Sequence, residues 1–227
     1  MKVFTQAEFD SLPVVDGVKQ CPTGDYSQIK TFGEHCRFGK SCIFGMSCSF
    51  GKFCSFGVSC DFGMSCNFGE HCSFDEYCNF GKFCSFGESC SFSAFCRFSA
   101  FCRFSALCRF GVSCSFGKSC NFGKSCRFGK FCSFGVSNHF GNECTFTGRR
   151  AHPGYPLLAL SGAGSVNRTV YAFNVEGGPW FEAGCFSGDL DAFRTKVRAD
   201  GDELKCIQYL GFANIVAATW CPERIEA

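Results

Sequence analysis

The sequence predicts an all-β solenoid followed by a small α+β module, and three observations lead there. A phenylalanine stands at every sixth position from Phe32 through Phe146 without a gap. A cysteine stands two residues before each of them from Cys36 to Cys132 and again at Cys144, Asn138 being the one substitute. A glycine follows most of the phenylalanines, with Asp75, Ser93, Ser99, Ser105 and Thr147 as the exceptions. The unit is Phe-Gly-x-x-Cys-x, and it accounts for most of the 32 phenylalanines and 22 cysteines among 227 residues. In an extended segment Cys and Phe, two apart, point to one face while the residue between them points away. A helix would turn residues six apart about 240° out of phase, leaving no constant face, and a meander of hairpins needs longer strands. Stacked short strands bury a core that no single unit could bury alone.

Three segments follow in order. Residues 1–24 form an N-terminal cap, since an open solenoid exposes unpaired strand edges that need covering. In it "TQAEFDSL" (5–12) reads as a short helix with Thr5 and Glu8 as a capping box. Val14, Val15 and Val18 around Asp16-Gly17 read as a strand leading into a first coil near Tyr26. Residues 25–147 are the repeat, in which glycine is read as supplying the backbone freedom of the corners. The slot before cysteine holds serine in nine hexads but Phe53, Tyr77, Phe83, Phe95, Phe101, Leu107 and Phe131 in others. These are assigned to packing at the inner corners, with an outward apolar patch as the alternative. Residues 148–227 form the α+β module. After a linker, "TGRRAHPGYP", the segments "YPLLALSG", "RTVYAFNVEGG" and "PWFEAGCFSG" read as three strands, with Gly177 and Gly178 in the last turn. "SGDLDAFRTKVRADG" reads as a helix capped by Ser187 or Asp189, and "DELKCIQYLGFANIVAATW" as a second. Trp180, Phe181, Phe186, Phe212 and Trp220 are assigned to its core.

The repeat resembles the hexapeptide-repeat, left-handed parallel β-helix superfamily. That family puts an aliphatic residue where Phe32 to Phe146 stand, often glycine next, and a small residue where Cys36 to Cys144 stand. The resemblance covers about half the chain and implies a left-handed parallel β-helix with three hexads per coil. Six to seven coils at about 4.8 Å each make a prism roughly 30 Å tall. Phenylalanine in the aliphatic slot departs from the family, and stacked rings would contribute about 0.5–1.5 kcal/mol per pair beyond burial. The four-sided pentapeptide-repeat helix is set aside because a period of five never occurs. With three hexads to a coil, residues 93–110 are one coil carrying Arg97, Arg103 and Arg109, one on each face. A shorter stretch, "WFEAGCFSGDLDAFRTKV", resembles tails that follow hexapeptide repeats in phage-encoded proteins, implying a viral source and no activity.

The chemistry starts from the cysteines. Metal sites favour pairs two to four residues apart; here repeat cysteines are six apart and no C-x-x-C occurs, so cysteine is read as a small buried residue, with no metal, no cofactor and no disulfide framework. Relatives by resemblance include acyltransferases, which use a histidine and a loop interrupting the coils. No loop interrupts these hexads, and His35, His71 and His139 sit in repeat slots, so no catalytic residue is assigned and the chain is read as a non-enzyme. The N-terminus has no apolar signal region, and no apolar run of about 18 residues occurs; the reading is cytoplasmic, with no membrane contact. The outward slot, mixed Ser, Asn, Arg and Asp, is read as offering no aromatic platform for single strands. Charge is the feature with direction, since a net +2 hides the absence of any acidic residue between Glu88 and Glu143. Arg97, Arg103, Arg109, Lys118, Lys124, Arg127 and Lys130 fall in that gap and are the candidate binding residues for an anionic macromolecule, an acidic host protein or nucleic acid. The expected role is a non-catalytic binding or scaffold solenoid, with homo-oligomerisation through the C-terminal module. The alternatives are a virion structural or tail-adhesin component and a degenerate acyltransferase.

Overall fold

The computed structural model describes residues 1–152, 156–163 and 168–224. It shows a parallel β-solenoid of about seven turns. The chain divides into two compact units, Met1–Gly148 and Arg149–Ala227.

Within the first unit each hexad yields one two-residue strand ending on its phenylalanine, and each strand pairs in parallel with the strand 18 residues away. Asn79–Phe80, for example, lies in register between Asp61–Phe62 and Arg97–Phe98. Three hexads therefore close one coil, giving three walls. One contains Ser55–Phe56, Ser73–Phe74, Ser91–Phe92, Arg109–Phe110 and Arg127–Phe128; the second contains Arg97–Phe98 and Ser115–Phe116; the third contains Arg103–Phe104 and Asn121–Phe122. Between strands the backbone is held as well. The N–H of the residue before each cysteine donates to the coil above, as Ser65 N does to Lys82 O at 2.8 Å.

The phenylalanines at every sixth position point inward, as the two-residue spacing requires; all are buried except the half-buried Phe140. Rings on one wall stack nearly parallel at 4.8 Å (Phe62 on Phe80, 1°), while rings of successive walls meet edge to face at 5.0 Å (Phe62 and Phe68, 86°). Both geometries suit the ring quadrupole, and the stacking distance equals the spacing of hydrogen-bonded strands. Aromatic rings thus suit a fold whose own repeat sets their separation.

The cysteines do more than fill space. The Cys60 thiol donates to Gly39 O at 3.4 Å, so it satisfies a backbone carbonyl that faces the interior. Asn138 shows the requirement directly. Its Oδ1 accepts from Cys120 N at 2.7 Å and its Nδ2 donates to Gly135 O at 2.7 Å, which is why an amide is the one substitute inside the run.

Glycine's role differs from the sequence expectation. No repeat glycine has a positive φ; that conformation belongs to the residue before each cysteine, at φ between 53° and 63° from His35 to Glu143. Glycine is required by close stacking instead. A Cβ on Gly63 would lie 2.6 Å from the carbonyl carbon of Gly45 in the coil below. Asp75, Ser93, Ser99 and Ser105 take the same slot, and their backbone N–H groups keep the bond to the coil below at 2.9–3.0 Å.

The N-terminal cap continues the ladder. Helix α1 (Gln6–Asp10) is capped by Thr5 with the reciprocal Glu8 contact expected. That contact, first the Thr5 backbone N–H and then Lys2, holds the Glu8 carboxyl down to about 2. Phe4 stacks on Tyr26 at 4.7 Å, and Tyr26 on Phe44 at 5.6 Å, while Phe9 meets Phe32 edge-on at 5.2 Å. Val14–Val15 and Val18–Cys21 form a hairpin through Asp16 and Gly17, both at positive φ.

The second unit is a four-stranded antiparallel sheet, Leu157–Ala163, Arg168–Val175, Gly178–Ala183 and Phe186–Asp189 in sequential order. Its fourth strand corrects the sequence reading, because "PWFEAGCFSG" is a hairpin broken at Gly184 (φ 62°) rather than one strand. Part of the linker reading, at 153–155, lies outside the described residues. Asp189, not Ser187, caps α2 (Leu190–Ala199), accepting from Ala192 N at 2.9 Å. With α3 (Glu203–Trp220) this helix buries Phe181, Leu190, Phe193, Phe212 and Val216, with Phe186 and Trp220 at the margin. Trp180 is not in that core. It is half-buried, donates from Nε1 to Ser187 Oγ at 3.0 Å and lies under the Arg149 guanidinium at 3.9 Å. Among the described residues no helix is long and apolar enough to cross a membrane.

The repeat thiols are free and buried, whereas Cys185 is free and exposed. Contact with the next thiol of its column, Cys132 for Cys114 and Cys114 for Cys96, together with burial pushes both up to about 12. Thiolate is the reactive form. Timed alkylation of the folded protein, mapped by mass spectrometry, is therefore expected to label Cys185 first, with the repeat cysteines labelled only in denaturant. Early labelling of Cys96 or Cys114 would contradict the buried columns.

Candidate functional site

Inward Cys and Phe leave two outward slots per hexad with room for recognition, the residue between them on the wall and the turn before the cysteine. Arg97, Arg103 and Arg109 occupy the wall slot on three successive walls, one on each face as the sequence implied, and all three are exposed. Arg127 stands directly over Arg109 on one wall. Lys118, Lys124 and Lys130 are exposed in the turns between walls. The seven are thus brought to one end of the solenoid but not to one face. A flat partner on any wall meets three or four of them.

Among the described residues none of the seven is salt-bridged. Lower in the solenoid Lys52 pairs with Glu70 at 2.9 Å, and Asp61 accepts from the neutral Asn79 amide at 2.8 Å. From residue 89 to 142 the sequence carries no carboxylate, so this stretch contributes only positive charge to the surface.

The corner residues correct the sequence assignment. Phe53, Tyr77, Phe83, Phe95, Phe101, Leu107 and Phe131 do not pack inside; they are 38–51% exposed. Five of them stack in short ladders along the outer edges. His35, Phe53 and His71 form one ladder at 5.1 and 5.0 Å; Tyr77 and Phe95 pair at 5.0 Å, and Phe83 and Phe101 at 5.1 Å. All sit in the left-handed region, Phe101 and Leu107 at φ 63°, where a bulky side chain costs roughly 1–2 kcal/mol. Serine meets the same backbone demand in nine other hexads, so the rings are not there for the turn. Strain accepted at an exposed position points to a use of the surface. A signal for this was legible in the sequence, because the slot also admits His35, His71 and Glu143, which an interior slot would reject.

The coil at 93–110 combines both features. Reading along it, an exposed apolar side chain and an exposed guanidinium alternate: Phe95, Arg97, Phe101, Arg103, Leu107, Arg109. Beside two of its corners lie open grooves. One, of about 420 Å³, is lined by Phe83, Phe101, Arg103, Asn121 and His139; the other, of about 380 Å³, by His71, Leu107, Arg109 and Arg127. The Lys118 ammonium stands 5.9 Å from the Phe101 ring centre. The structure thus supplies the aromatic platform that the wall slot alone lacks. No protein-family profile, curated protein or solved structure matches the chain.

Proposed function

We propose that this chain is a non-catalytic β-solenoid that binds an anionic macromolecule, an acidic protein or a nucleic acid, through its basic C-terminal coils. One observation carries the reading: seven exposed cations, none salt-bridged among the described residues, lie in a stretch without a carboxylate. The hexads run uninterrupted, which leaves no inserted loop to build the cleft that the acyltransferase resemblance would require. A phage origin and action in a host cytoplasm belong to the same reading, resting on the resemblances of the repeat and its tail. Self-association through the C-terminal module also belongs to it, with Leu204, Ile207 and Ile215 as the exposed apolar residues of α3.

The test is binding to heparin, a sequence-free polyanion, at several salt concentrations. Three or four cations on one face predict a slope of log affinity against log salt of about −2 to −4. A slope near zero, or no binding at low salt, would remove the reading.

A further inference from the structure

We infer that the partner of the basic coils is a single-stranded nucleic acid whose bases stack on the outer corner ladder of Phe83 and Phe101 while Arg103 and Lys118 hold its phosphates. This rests on the reading that the basic coils bind a polyanion, and narrows it to one chemical class.

Four features carry the inference. The Phe83 and Phe101 rings are parallel to within 7° and are 51% and 38% exposed, so they are a stacking surface that the fold itself leaves unused. Ser65 and Ser119 occupy the corner slots on either side of the pair, so no third ring of the ladder covers its two outer faces. The adjacent groove places the Arg103 guanidinium on the wall beside the rings, with Asn121 and His139 further along the same wall. Lys118 already rests near the Phe101 ring, and its flexible stem lets the ammonium turn to a phosphate.

This pairing of a basic track with exposed rings is what sequence-tolerant single-strand binding needs, because every unpaired base offers a π face. A duplex hides those faces in its own stack, and an acidic peptide brings the charge without a ring. The girdle gives a further reason. Its arginines lie on three different walls, out of reach of one rigid surface but not of a flexible strand that passes from corner to wall to corner. Along residues 95–109 such a strand meets a platform and a guanidinium in alternation.

The experiment measures fluorescence anisotropy of labelled oligo(dT) and oligo(U), each about twenty nucleotides long, with a dT·dA duplex, heparin and poly-glutamate as comparison probes. The variant is Phe83→Ser with Phe101→Ser, which installs the residue that Ser65 and Ser119 already place in the same column. Wild type is expected to favour the single strands over the other probes. The double variant is expected to lose about tenfold or more of single-strand affinity while keeping its heparin affinity and its melting temperature. Unchanged oligo(dT) and oligo(U) binding by the variant would overturn the inference, as would a wild-type preference for duplex or poly-glutamate; heparin binding would then still stand. Failure of wild type to bind any probe would overturn the polyanion reading itself.

Discussion

Replacing Phe80 by alanine is expected to lower the stability of the solenoid by about 3–5 kcal/mol. Phe80 is 3% exposed and stacks on Phe62 and Phe98 at 4.8 Å on either side, with edge contacts to Phe74 and Phe86 at 5.0 and 5.1 Å. Its neighbours cannot close the gap, because each ring is tied to a strand whose spacing is fixed by hydrogen bonds. The cost should therefore fall at the upper end of the range for a deleted ring. A solenoid is held by nearest-neighbour contacts between coils, so the loss also separates the coils below residue 80 from those above. Urea denaturation followed by far-UV circular dichroism checks both effects. The midpoint should drop, and the transition should broaden or split. A loss below about 1 kcal/mol would mean the rings do not form a continuous column.

Reversing Arg97, Arg103 and Arg109 to glutamate is expected to abolish binding of the anionic partner, by about a hundredfold or more near 0.1 M salt, with little change in melting temperature. The three side chains are exposed and unbridged, and substitutions of that kind usually stay within about 0.5 kcal/mol. One of them should even help the fold. Arg109 lies in register with Arg127 on the same wall, and a glutamate there would turn a like-charge neighbour into an opposite one. Binding to heparin and thermal melting, measured on the same preparation, separate the two outcomes. Retained affinity would dispose of the girdle as a binding surface; a large fall in melting temperature would show that the arginines serve the walls.

The repeat was legible in the sequence because its spacing leaves little freedom. A step of two from Cys to Phe fixes the inward face, and a period of six excludes a helix. The site was legible only in part. Charge could be read directly, since a run without acidic residues needs no coordinates, and the three-wall placement of the arginines follows once three hexads make a coil. The corner rings were not legible, because an apolar side chain beside a buried cysteine reads as core, whereas the backbone turns outward there at positive φ. Glycine was misread for the same reason. The left-handed residue stands two positions later, and glycine is needed because a Cβ on Gly57, Gly63 or Gly69 would come within 2.6–2.9 Å of the coil below. Cysteine's hydrogen bonds were hidden because a period shows which side is buried, not which backbone groups face that side. The end of "PWFEAGCFSG" was lost to a turn at Gly184 that no alternation marks.

Two phenylalanines three residues apart in one coil test the division between inside and outside. Phe98 is 4% exposed within its column and Phe101 is 38% exposed on its corner. Melting temperatures of Phe98→Ser and Phe101→Ser should differ sharply, the first variant losing the cooperative transition or shifting it far downward and the second melting as wild type does. Equal losses would contradict the account, for both rings would then belong to the interior and the outer ladder would not exist.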